Sequence, residues 1–143
     1  CGTFDGSQLS EAQQSLRKFY QQLLNIAHEE AIGEGYFYDL HDHNRRCTSG
    51  YDDRVYAFLR FTDNQRLLVI SNFDPHEAHA FNLKIPSTAI RAMNLSEEKT
   101  YPLQDIFQTE TRAFMNISEV IISEGEAGMP LHLPPLSSYV FEF

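Results

Sequence analysis

No tryptophan occurs in the 143 residues, and cysteine occurs only at positions 1 and 47. Two cysteines cannot build the disulfide framework that staples many small secreted domains, so the fold has to rest on a packed core. They suit a cytoplasmic and a periplasmic chain alike. Long apolar runs are missing as well. Leu67 to Ile70 is a typical stretch, far short of the ~20 residues that cross a bilayer, and no transmembrane segment is expected. Basic residues are scarce: 11 Lys and Arg stand against 20 Asp and Glu, a net charge of −9. Binding a polyanion needs a basic face, and pairs such as Arg45-Arg46 are the densest basic signal, so nucleic acid is not an expected partner. Gly33 and Gly35 lack the flanking pattern of a phosphate-binding loop, and there is no Gly-x-Ser-x-Gly nucleophile elbow. The length also excludes a whole (β/α)8 barrel, which takes about 250 residues.

Apolar residues make up 42% of the chain, with 11 Phe and 7 Tyr, which excludes an intrinsically disordered chain. Ser10 and Gln13 have the spacing of a helix-capping box. Beyond them Ala12, Leu16, Phe19, Tyr20, Leu23, Leu24 and Ala27 recur on one face of a helix of about five turns. It should end between Glu30 and Gly33. The stripe is wide for a helix lying on a small domain and fits a larger neighbour.

After Gly35 the period becomes alternating. Strands are expected at Tyr36–Leu40, Val55–Phe61, Leu67–Ser71, His79–Ile85, Thr100–Phe107, Ala113–Ile117, Val120–Ser123, Met129–Leu133 and Tyr139–Phe143. His41–Arg54 reads as a long polar loop or a loose hairpin, and Ser87–Asn94 as one helical turn capped by Ser87. Pro102 places its strand at an edge. Turn signals about every 8 to 12 residues point to a mainly β fold. The expected architecture is an antiparallel Greek-key β-sandwich of about seven or eight strands, preceded by one amphipathic N-terminal helix. The division falls at residues 1–33 and 34–143.

Chemical signals are sparse. His41, His43 and Cys47 form a close set of metal-type ligands, but without the spacing of a zinc site, and no metal is expected. His76 and His79 read as exposed loop residues. The pairs Asp39/Asp42 and Asp52/Asp53 read as solvated charge, as chance predicts in so acidic a chain. Asn94-Leu95-Ser96 and Asn116-Ile117-Ser118 match the glycosylation triplet, a pattern short enough to arise by chance. Tyr36, Tyr38, Tyr51 and Tyr56 are a candidate platform for stacking on sugar rings; the alternative is ordinary sheet packing. Cys1 fits either the lipidated start of a bacterial lipoprotein or a cut from a longer chain. No catalytic residue and no cofactor emerge from these readings.

Several phrases resemble the C-terminal end of the α-amylase family of glycoside hydrolases. Phe4 to Ser10 followed by Leu16-Arg17-Lys18-Phe19-Tyr20-Gln21-Gln22-Leu23-Leu24-Asn25-Ile26 resembles the last helix of that family's catalytic barrel. Val55 to Arg60 with Arg66 to Phe73 resembles the central hairpin of its C-terminal sandwich, closed by an Asn-Phe pair. Asp105-Ile106-Phe107 resembles a later strand, though without the glycine usual after it. Leu133-Pro134-Pro135 with Tyr139 to Phe143 resembles the final strand. The resemblance implies a parent enzyme acting on α-glucosidic bonds in starch-like glucans. Its catalytic acids would lie on barrel strands to which nothing here corresponds. It also implies that Leu16, Phe19, Tyr20, Leu23 and Leu24 pack against that barrel. In an isolated fragment the stripe would be exposed or covered by a second copy.

Overall fold

The computed structural model describes residues 9–107 and 110–143. Cys1 and the phrase Phe4 to Gln8 lie outside the described residues. Two helices come first, α1 (Glu11–Ile26) and α2 (Glu30–Gly33), followed by β1 (Tyr36–Asp39) and a third helix, α3 (His41–Cys47). Next are β2 (Val55–Phe61), β3 (Arg66–Asn72), β4 (His79–Leu83) and α4 (Ser87–Ala92). The chain ends with β5 (Thr100–Asp105), β6 (Glu110–Asn116), α5 (Ile117–Val120), β7 (Met129–Leu133) and β8 (Ser138–Glu142).

Six strands form one antiparallel sheet in the order β1-β2-β3-β8-β5-β6, and β4 pairs with β7 in a second. The last strand therefore returns to the middle of the large sheet, between β3 and β5. Alternation decides which side chains turn inward. In β2, Val55, Ala57, Leu59 and Phe61 are buried while Tyr56, Phe58 and Arg60 point outward. The inward set joins Phe81 and Leu83 of β4 and Met129 and Leu133 of β7 in one core. This is the expected mainly β antiparallel sandwich, with one sheet much larger than the other.

The outer face of the large sheet carries the helical N-terminus. Ile26 and Ala31 pack there with Leu67 and Val140 in a second, smaller cluster. Arg60 fixes α2 from the sheet, its Nε donating to the Ala31 carbonyl at 3.0 Å. Gly35 is needed where α2 meets β2: a Cβ there would stand 2.3 Å from the Ala31 oxygen and 2.9 Å from the Phe61 oxygen.

Several local expectations fail. The first helix stops at Ile26, with Glu30–Gly33 a separate helix after it, and Ser87 is the first residue of α4 and not its cap, which is Pro86. His41–Arg54 is not all loop. Its first half is α3, whose first two amides are taken by the Asp39 carboxylate. Val120–Ser123 is not a strand; the side chain of Asn116 accepts from the Ser118 amide and starts α5 there. Pro102 sits on β5, which lies between β8 and β6, so its strand is not an edge strand. Its missing N–H is harmless because β8 pairs only with Gln104 and Asp105. Both glycosylation-type asparagines have structural work. Asn94 (φ 53°) takes the left-handed position after α4, and the Leu95 amide returns to the Ile90 carbonyl at 3.1 Å.

Candidate functional site

The exposed apolar face of α1 is the most prominent surface feature. The helix forms for local reasons. The Ser10 hydroxyl accepts from the Gln13 amide at 3.3 Å, and the Gln13 side chain accepts from the Ser10 amide at 2.9 Å, so two otherwise unpaired donors are satisfied. Its anchoring contacts with the rest of the chain lie in its second half. Ile26 is its one buried residue. Gln22 donates to the Phe107 carbonyl at 3.3 Å, and the Phe19 ring stacks on Phe107 at 6.0 Å between centroids. Leu16, Phe19, Tyr20, Leu23 and Leu24 nevertheless remain 42–64% exposed. Burying one such side chain is worth roughly 1.5–3 kcal/mol, so five of them on one helix are a large unrealised gain.

Between α1 and the outer sheet face lies a cleft of about 810 Å³, lined by Phe19, Leu23, Val69, Leu136, Tyr139 and Val140 among others. It holds one carboxylate, Asp105, whose Oδ2 is 3.3 Å from the Arg112 guanidinium. Glycoside hydrolysis uses two carboxylates flanking the scissile bond; among the described residues the cleft has only this one.

The four tyrosines do not share a surface. Tyr36 and Tyr38 stand opposite Phe61 and Leu59, on the inward side of the edge strand β1. Tyr36 is exposed there, and the Tyr38 hydroxyl is 2.6 Å from the Thr88 hydroxyl. Tyr51 is in the core, edge-on to Phe81 at 5.1 Å, and burial pushes its phenol up. Only Tyr56 lies on the outer face. Its phenol is raised by partial desolvation and then by the charge and hydrogen bond of Asp39. It continues instead into a row the sequence reading missed: His41 to Tyr56 at 5.4 Å, Tyr56 to Phe58 at 5.8 Å, Phe58 to Phe37 at 5.3 Å. The signal was there in the register, since Phe37 and Phe58 lie on the opposite face to Tyr36 and Tyr38.

The histidine and cysteine set is split by α3. His41 points its Nδ1 at the Val55 carbonyl, 2.9 Å away, and the Cys47 thiol donates to the His43 carbonyl at 3.0 Å. His43 is held below the ordinary imidazole value by burial and, secondarily, by the Lys84 ammonium. No group of three or more His, Cys, Asp or Glu among the described residues is placed to hold a metal. His76 is exposed, but His79 is not the loop residue expected: it opens β4 and is largely buried. Its Nε2 lies 3.9 Å from Asp74 Oδ2 without a hydrogen-bond partner.

Asp74 is buried at the β3–β4 turn and accepts from the His76 and Glu77 amides at 2.8 and 3.0 Å as well as from Arg54. The His76 amide is the main stabiliser of the charged form. Burial opposes it, and the Glu77 amide and Arg54 add to it, holding the carboxyl at about 2. A lowered carboxyl stabilises the fold above its unfolded value of ~3.9, and that stability is lost as pH falls toward about 2. Asp74→Asn is therefore expected to melt below the parent chain at neutral pH, with the gap closing between pH ~4 and ~2. Thermal melts across that range check it; a gap that stays constant down to pH ~2 excludes Asp74 as its source.

A profile of the family "Alpha amylase, C-terminal all-beta domain" matches residues 48–143, about two thirds of the chain. Among curated proteins no sequence matches. Among solved structures, AmyP crystallised with maltotriose is 14% identical and superposes with a TM-score of 0.61 over 99% of this chain. The trehalulose synthase MutB from Pseudomonas mesoacidophila MX-45 is 19% identical, with a TM-score of 0.50 over 89% of the chain. At these identities the likeness is one of fold. The chain spans only 23% and 17% of those two proteins. A profile match over β2 to β8, joined to the same sandwich in both structures, establishes that the chain belongs to the α-amylase C-terminal all-beta domain family.

Proposed function

We propose that this chain is the non-catalytic C-terminal region of an α-amylase-like glycoside hydrolase, and that it supports the enzyme's catalytic barrel. Residues up to Gly33 form the last barrel helix in this reading, and residues 34–143 form the sandwich beneath it. The parent hydrolyses α-glucosidic bonds in starch-like glucans. The observation that carries the proposal is the face of α1: five large apolar side chains, each more than two fifths exposed, on a helix anchored only through its second half. Exposed apolar patches of this kind mark interaction surfaces. The outer-face row of Phe37, Phe58 and Tyr56 extends apolar surface on the same side of the sheet.

The pure chain is expected to show no turnover of a chromogenic maltooligosaccharide, while a separately produced barrel lacking this region gains stability when the chain is added. Leu23→Asp with Leu24→Asp should abolish that gain and leave the sandwich folded. Turnover by the chain alone, or full stabilisation by the double variant, refutes the proposal. Without the barrel the same stripe drives self-association, read as a concentration-dependent mass in sedimentation that the double variant loses.

A further inference from the structure

Lys84 is among the most deeply buried side chains in the protein, at 1% exposure, and has no carboxylate partner among the described residues. An ammonium taken out of water without compensation is heavily disfavoured. Here the compensation comes from main-chain oxygens. The Nζ donates to the carbonyls of Cys47 at 2.7 Å, Gly125 at 2.8 Å and Ser123 at 3.2 Å, using all three of its N–H bonds. Cys47 ends α3, where helix carbonyls lack internal partners. Ser123 and Gly125 belong to the loop after α5, where Gly125 takes the left-handed conformation (φ 67°).

The backbone of Lys84 is fixed just as firmly. The buried Asn44 side chain accepts from the Lys84 amide and donates to the Lys84 carbonyl, both at 2.8 Å. The loop that supplies the other two carbonyls lies flat on β4. At Gly128 (φ 135°) a Cβ would stand 2.8 Å from both the Asn82 and Leu83 oxygens. Two segments distant in sequence from each other and from Lys84 thus converge on one cationic nitrogen.

We propose that the Cys47, Ser123 and Gly125 carbonyls form a site for a monovalent cation of the ammonium or potassium class, which Lys84 fills from within the chain. The ligand chemistry sets the class. Three neutral carbonyls bring no negative charge, whereas calcium and magnesium sites draw on carboxylates at about 2.0–2.6 Å. Rings of main-chain carbonyls are how proteins replace the hydration shell of potassium. Because the cation is covalently tethered, the joint between α3, β4 and the 121–128 loop does not depend on the surrounding salt. Removing the side chain leaves the cage and exposes that dependence.

The test is thermal unfolding of the full chain and of Lys84→Ala in choline, potassium and ammonium chloride at equal ionic strength. The parent chain should melt at one temperature in all three salts. Lys84→Ala should melt lower in choline and recover by about 3 °C or more in ammonium, the shift that ~1 kcal/mol produces in a domain of this size. A folded Lys84→Ala that melts alike in all three salts overturns the proposal. If the variant folds in none of them, the parent chain labelled with 15N-lysine decides. A Lys84 NH3+ resonance whose protons resist exchange at neutral pH supports the caged cation, and its absence refutes it.

Discussion

Asn72→Ala is expected to destabilise the chain by about 3–5 kcal/mol, read from urea unfolding as a lower midpoint at unchanged slope. Asn72 ends β3 and is 1% exposed. Its two Nδ2 hydrogens are shared among the carbonyls of Glu77, Pro134 and Leu133 at 2.8, 3.0 and 3.3 Å, and its Oδ1 accepts from the Asp74 amide at 2.9 Å. One side chain thereby ties the β3–β4 turn to the β7–β8 connection. Alanine leaves buried main-chain groups without partners, and each such group costs about 1–3 kcal/mol. The Asp74 amide would be orphaned at the point where the Asp74 carboxylate organises the same turn, so the two losses reinforce each other. Asn72→Asp is the informative control: it keeps the acceptor, loses both donors and places a second carboxylate beside Asp74. It should therefore be at least as damaging. A loss below about 1 kcal/mol for Asn72→Ala would mean that the two loops are held by their flanking strands alone. The Asn-Phe pair closing the central hairpin, part of the resemblance in the sequence, thus has a physical role at its first position.

The sheet was legible because its inward residues are apolar and alternate, as in Val55, Ala57, Leu59 and Phe61. Helix α1 was legible because its stripe is apolar at helical spacing. Helix α3 was not. Its one buried residue, Asn44, and the buried Thr48 that follows the helix are polar, and both are satisfied by hydrogen bonds that hydropathy does not register. Lys84 was invisible for the same reason, since a buried lysine reads as a surface residue until its three carbonyl partners are seen. The tyrosines illustrate a different limit. Spacing assigns Tyr36 and Tyr38 to one face of β1, but only the β1–β2 register shows that Tyr56 is on the other. The exposure of α1 was legible in part. A wide stripe implied a neighbour, but only coordinates show that the chain's own sheet covers so little of it.

Two leucine truncations of identical chemistry should therefore behave in opposite ways. Leu59 is fully buried between the sheets, and Leu59→Ala should cost about 2–5 kcal/mol through lost transfer energy and the cavity left behind. Leu24 is 64% exposed, and Leu24→Ala in the isolated chain should stay within about 0.5 kcal/mol, because an isopropyl group already mostly in water has little to lose. The contrast changes when α1 is joined to the barrel it is proposed to complete. Leu24 then becomes a core residue of the interface, and the same truncation should cost about 2–5 kcal/mol in the complete enzyme. Leu59→Ala should cost the same with or without the barrel, since its surroundings do not change. Urea unfolding of both variants, in the isolated chain and in the complete enzyme, gives the four values. If Leu24→Ala costs as little in the complete enzyme as in the isolated chain, the apolar face of α1 is not the surface on which the barrel rests.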